Sequence, residues 1–191
     1  MKKLLLFFLI CAYAPTAWSQ SQTQLYDLVK KLLYDSTGYE NVGDWAVGAP
    51  RTYPVSWKAD RIEMSDDTSI NFFRQGTAQV LLPGQTTASK WSVMLKGARS
   101  GYSSFTLVSP PAPGFHPRAT MDSLFGKKAF RAKLLKSCER PANGFYYYEV
   151  KMPKKDVSYL KLSWQTANGN TSYRIDGYDS WSKQAVKTDC K

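Results

Sequence analysis

From Val55 onward, apolar side chains fall mostly at alternate positions, and a period of two commits most of this chain to strands rather than helices. "VSWKADRIEM", "INFFRQGTAQVLLP", "KWSVMLKGA" and "SSFTLVSP" are short, rich in β-branched or aromatic residues, and separated by Asp-Asp, Pro-Gly or Ser-Gly. They read as four antiparallel strands. A second series, including "AFRAKLL", "FYYYEVKMP" and "SYLKLSW", follows the proline-dense stretch "PPAPGFHP" and ends on "NGNTSYRI", a turn that pairs a small polar residue with Gly and runs into a strand.

Two segments depart from this period. In "QTQLYDLVKKLLYDS" the residues Leu25, Leu28, Val29, Leu32 and Leu33 recur at helical spacing, with Thr23 placed as an N-cap. "RATMDSLFGK" reads as a shorter helix. Between the first helix and Val55, Gly38, Gly43, Gly48, Pro50 and Pro54 punctuate an irregular connection.

The two strand series echo one another. Trp57 corresponds to Phe130, Pro83 to Pro153, Trp91 to Tyr159 and Phe105 to Tyr173, with loops shortening in the second copy. The expectation is an α+β fold: a duplicated unit of one helix plus a four-stranded antiparallel meander. Residues 20–109 form the first repeat, 110–118 a Pro-rich linker, and 119–191 the second repeat with a tethered C-terminal tail. This tandem plan resembles, in outline, the β-lactamase inhibitory proteins. None of their residues carries over, so the resemblance implies only that a duplicated sheet can serve as an inhibitor scaffold.

The first residues address the compartment. A positive start at Lys2 and Lys3, an apolar run from Leu4 to Ala14, and small residues around Ala17-Trp18-Ser19 read as a signal peptide over 1–19, cleaved near Ser19. The run is too short to span a bilayer, so no transmembrane segment is expected in the mature chain, which would be periplasmic or secreted. Net charge is +11 over 191 residues, and the signal segment removes two lysines and no acid. The chain stays basic, which favours acidic surfaces as partners. Export argues against nucleic acid.

Beyond the signal segment the cysteines are Cys138 and Cys190. In an oxidising compartment such a pair reads as a disulfide. Closing the loop between them stabilises a chain by about 4 kcal/mol in the chain-entropy description.

Catalytic and metal chemistry find little support in the residue pattern. His116 is the sole histidine and lies between prolines. No HxxxH, CxxC or calcium-loop spacing occurs, so neither a metal nor another cofactor is expected. Glu40 and Asp44, near Tyr39 and Trp45, are the one carboxylate pair that a sugar-cleaving site could use, although acids among glycines commonly stabilise turns.

What remains is surface. Alternation puts Tyr146, Tyr148, Val150 and Met152 on one face of a strand, and Phe145, Tyr147, Glu149 and Lys151 on the other. By the same rule Leu160, Leu162 and Trp164 turn inward with Phe130, Ala132 and Leu134, while Tyr159, Lys161, Arg131 and Lys133 turn outward. The expected binding face is therefore Tyr147, Tyr159, Lys151, Lys161, Arg131 and Lys133. The corresponding function is an exported, non-enzymatic binding protein of the cell envelope, most concretely an inhibitor or immunity protein that blocks an enzyme or toxin. The alternative is a module that binds peptidoglycan or another anionic glycan.

Overall fold

The computed structural model describes residues 22–36, 54–58, 61–64, 70–82, 84–98, 103–113, 117–125, 131–151 and 157–178. The strands are β1 (Thr23–Gln24), β2 (Ser56–Trp57), β3 (Arg61–Met64), β4 (Ile70–Leu81), β5 (Ser89–Ala98), β6 (Ser103–Val108), β7 (Ala112–Pro113), β8 (Arg131–Glu139), β9 (Asn143–Lys151), β10 (Ser158–Ala167) and β11 (Asn170–Tyr178). Two helices, α1 (Leu25–Ser36) and α2 (Pro117–Phe125), complete the described elements.

All eleven strands belong to one sheet. Its path runs β1-β4-β5-β6-β11-β10-β9-β8, with β2 and β3 added on β4 and β7 on β11. Every pairing is antiparallel except that of β1 with β4, so the sheet is mixed. The turn between β10 and β11 is the tight one expected from its sequence. Asn168 and Gly169 both have positive φ, 51° and 74°, the pattern of a primed hairpin turn whose twist matches the flanking strands.

Both helices pack on one face. Leu25, Leu28, Val29, Leu32 and Leu33 of α1 are 0–2% exposed and join a core with Trp91, Val93 and Leu95 of β5, Phe105 and Leu107 of β6, Leu160 and Leu162 of β10, and Tyr173 and Ile175 of β11. Met121 and Leu124 of α2 belong to the same core. α1 lies over β6 and β11 and touches α2. The Thr23 hydroxyl donates to the Gln24 carbonyl at 3.4 Å rather than capping the helix, and Thr23 itself pairs with Val80 in β1.

The expectation of a duplicated helix-plus-meander unit is corrected. The chain forms one continuous, strand-dominated sheet, and its two wings are built differently. On the first wing the strand beside β4 is broken into β2 and β3, and β1 adds in parallel beyond it. On the second, β8 runs unbroken along β9. The proposed equivalence of Trp91 and Tyr159 also fails on parity. Trp91 is in the helix-covered core, whereas Tyr159 lies in a separate cluster on the opposite face. A slip of one residue exchanges the faces of a whole strand. Phe130, the expected counterpart of Trp57, lies outside the described residues, and so does the expected first hairpin turn at Ser100-Gly101. The linker is also more than a connection: Ala112–Pro113 pairs with Thr171 and Asn170, and Pro117 opens α2.

One close approach fixes how β6 meets β11. Gly177 sits opposite Phe105, and a Cβ there would enter the Phe105 ring. Phe105 is 1% exposed and has no room to retreat. Gly177→Ala should therefore lower unfolding stability by about 1–3 kcal/mol or more, measured by chemical denaturation. A variant as stable as the parent would show that the ring can move aside.

Candidate functional site

On the second wing, the sheet face away from the helices carries its own apolar cluster. Cys138 of β8, Phe145 and Tyr147 of β9, and Tyr159 of β10 are each 7–8% exposed, with Val157 and Tyr178 packed against them. Tyr147 and Tyr159 stack at 5.9 Å between ring centroids, with an interplanar angle of 22°. The alternation of β9 is as expected: Tyr146 and Val150 enter the helix-covered core, Tyr148 packs against it, and Phe145 and Tyr147 turn to the other side.

The expectation that Tyr147 and Tyr159 form a solvent-exposed binding face is not met. Alternation decides to which side a residue turns, and says nothing about whether that side is covered. Tyr147 is instead a buried phenol, and burial pushes its pKa up to about 12. Lys161, directly opposite both Tyr147 and Asp176, is half-buried. Its ammonium nitrogen lies 4.9 Å from the Phe145 ring centroid. Desolvation lowers its pKa, and the Asp176 carboxylate opposes that shift. Asp176 is 5% exposed, accepts from the Thr106 hydroxyl at 2.6 Å, and takes both Arg174 Nε contacts at 2.9 and 3.0 Å.

The other expected binding residues are exposed. Arg131 and Lys133 lie on β8, and Lys151 on β9 stands directly opposite Arg131, holding two like charges side by side. Between Arg131 and Lys136 the strand exposes two leucines: Leu134, expected to be inside, is 48% exposed, and Leu135, which alternation did not assign, is 42% exposed. Leu134 keeps the register of Ala132 and faces the same side as Tyr148, but on the border strand that side is left open, and a bulge accounts for Leu135. Leu134 pairs with Tyr148 and Lys136 with Tyr147, so Leu135 is an extra residue without an opposite number. The signal was present in Lys133-Leu134-Leu135-Lys136, because two adjacent apolar residues cannot both follow a period of two.

Ser158 and Lys161 have the spacing of a serine–lysine dyad, yet on β10 they point to opposite faces, Ser158 inward at 0% exposure and Lys161 outward. The Ser158 hydroxyl makes no hydrogen bond among the described residues. His116, Tyr39, Glu40, Asp44 and Trp45 lie outside the described residues, as does the segment 1–19. Among the described residues no group of three or more His, Cys, Asp or Glu could hold a metal, and no helix is long and apolar enough to cross a membrane.

Two expectations follow. Tyr146, Tyr147 and Tyr173 all have pKa values raised to about 12, chiefly by burial. A phenol harder to ionise in the folded than in the unfolded chain stabilises the fold fully below pH about 10, and that contribution is lost as pH rises through about 12. Tyrosinate absorbance and circular dichroism followed together should show these rings ionising as the fold melts. Ionisation near pH 10 with an intact fold would contradict the burial. Second, Cys138 is buried on β8 while Cys190 lies outside the described residues. Peptide mapping of unreduced protein should recover residues 138 and 190 in one disulfide-linked fragment, and recovery of two free thiols would overturn the bridge.

No protein-family model, no curated protein and no solved structure matches the chain.

Proposed function

We propose that this chain is an exported, non-enzymatic binding protein of the cell envelope, an inhibitor or immunity protein that docks an acidic protein partner along β8. Signal-peptide cleavage near Ser19 delivers it to the periplasm or beyond. The observation that carries the docking reading is the pair Leu134 and Leu135, exposed on the last strand of the sheet and flanked by Arg131, Lys133 and Lys151. Lysines on a border strand also serve to block edge-to-edge aggregation. That role accounts for the charges and leaves the two leucines unexplained, since an exposed apolar pair on a border strand invites pairing. A partner strand or loop rich in Asp and Glu would meet the cations, cover the leucines, and draw on the main-chain groups of β8.

The test combines site-specific crosslinking with kinetics. A photo-reactive residue at position 135 should capture one defined protein in the envelope of the producing cell. With that protein purified, Leu134→Ala combined with Leu135→Ala should weaken binding by about 1–3 kcal/mol. Charge reversal at Arg131 or Lys133 should slow association most at low salt. Unchanged affinity in the folded double variant would remove β8 from the interface.

A further inference from the structure

The turn joining β8 to β9, the far ends of β10 and β11, and the first residue of α2 enclose a cleft of about 430 Å³. That volume falls in the range that accommodates small ligands. It lies at the opposite end of β8 from Arg131 and its floor is the helix-covered side of the sheet, so it is distinct from the docking edge described above.

The cleft has an aromatic wall fixed by an absence. Trp164 lies directly opposite Gly144, and a Cβ on Gly144 would enter the indole. The glycine lets the indole lie against the β9 backbone, where Tyr146 packs beside it at 5.1 Å between centroids and 34° between planes. The turn that forms the rim is pinned at two points. Arg140 N–H donates to the Asn143 carbonyl at 2.9 Å, and Thr166 N–H to the Ala142 carbonyl at 2.6 Å. Pro117 and Pro141 stiffen the two sides of the mouth.

The polar lining has a particular balance. Glu139 and Arg140 contribute one charge of each sign, and the nearby Glu139 carboxylate adds to the burial that raises the Tyr146 pKa. Thr166 and Thr171 stand opposite each other with their hydroxyl oxygens 2.9 Å apart. Thr171 also acts on the Tyr173 phenol beside it, so what the pair offers a ligand is chiefly lone pairs to receive. A ligand suited to this lining presents an apolar C–H face to the part of Trp164 left exposed, 9% of the residue, offers groups that both donate and accept, and carries no net charge. The hydroxyls and ring face of a sugar meet all three conditions. An anion would meet Glu139, and a cation would meet Arg140 and the Arg118 guanidinium that acts on Tyr146.

We propose that this cleft is a binding subsite for a neutral sugar residue, seated against Trp164 and hydrogen-bonded by Glu139, Arg140 and the Thr166/Thr171 pair. The site needs no contribution from β8 residues 131–136.

The experiment is a titration of the isotope-labelled full chain with neutral trisaccharides of glucose, galactose or N-acetylglucosamine. The reporter is the Trp164 indole N–H resonance, assigned by its loss in Trp164→Phe. At least one trisaccharide should shift that resonance with a Kd of about 1 mM or tighter. Glu139→Gln and Thr166→Val should each weaken binding by roughly 3–10-fold, the loss of one hydrogen bond. Both replacements keep size and shape, and dispersed spectra will confirm the fold. Leu134→Ala with Leu135→Ala should leave sugar binding unchanged, so failure of the docking reading and failure of this one are separable. The proposal is overturned if no neutral trisaccharide moves the Trp164 signal. It is equally overturned if a uronic-acid trisaccharide or an acidic tripeptide binds there in preference, or if Glu139→Gln and Thr166→Val bind as the parent does.

Discussion

The pairing of β6 with β11 is the joint on which the molecule depends. Among the described residues, it is where the two wings meet as neighbours along the central path of the sheet, from Ser104 opposite Tyr178 to Val108 opposite Arg174. Each side of the joint is sealed by different physics. On the helix side, Phe105, Leu107, Tyr173 and Ile175 are at most 1% exposed beneath α1, so the joint is held by dry contact. On the other side Thr106, Asp176 and Arg174 form a hydrogen-bonded chain at 2.6–3.0 Å. Satisfying a buried carboxylate with one hydroxyl and one guanidinium removes the penalty of leaving it unpaired. Because the Arg174 side chain is half exposed, this pair contributes more to geometry than to stability. Ser109 extends the joint, its hydroxyl accepting from Tyr173 N–H at 2.8 Å.

Both candidate surfaces hang from this frame. β8 is placed at the border because β9, β10 and β11 lie between it and the joint, and the cleft forms where those same strands end beside α2. One wing therefore presents an apolar-and-basic edge and an electrically balanced pocket at opposite ends of the same strand. The first suits a broad protein contact, the second a small hydroxylated ligand.

Much of the strand pattern was legible in the sequence, and the reasons are local. The division of β9 into Tyr146, Tyr148 and Val150 against Phe145, Tyr147 and Glu149 follows from period two alone. The Asn168-Gly169 turn follows from the positive φ that those residues tolerate. The α1 leucines are where helical spacing puts them. What was not legible depended on contacts distant in sequence. Nothing between Phe145 and Tyr159 indicates that the second face is covered, so two buried tyrosines looked like exposed anchors. The repeat rested on similar turns and aromatics, and it failed where one residue of parity moved Tyr159 to the face opposite that of Trp91. The cleft was also out of reach, since Glu139, Trp164 and Thr171 come from three strands and are brought together only by the register.

The joint has a consequence for how the chain reaches this state. Thr106 and Asp176 are separated by 70 residues, and Ser109 and Tyr173 by 64, whereas β10 and β11 are joined by a two-residue turn. Closing the long loop costs chain entropy before any contact repays it, while the tight hairpin forms on a microsecond scale. The wings are thus free to organise as separate hairpins first, each with an unpaired border, β6 on one and β11 on the other. Until the two borders meet, each is a template for the same strand of another molecule. Exchange of wings between two chains, rather than random clumping, is the characteristic error this architecture invites at high concentration.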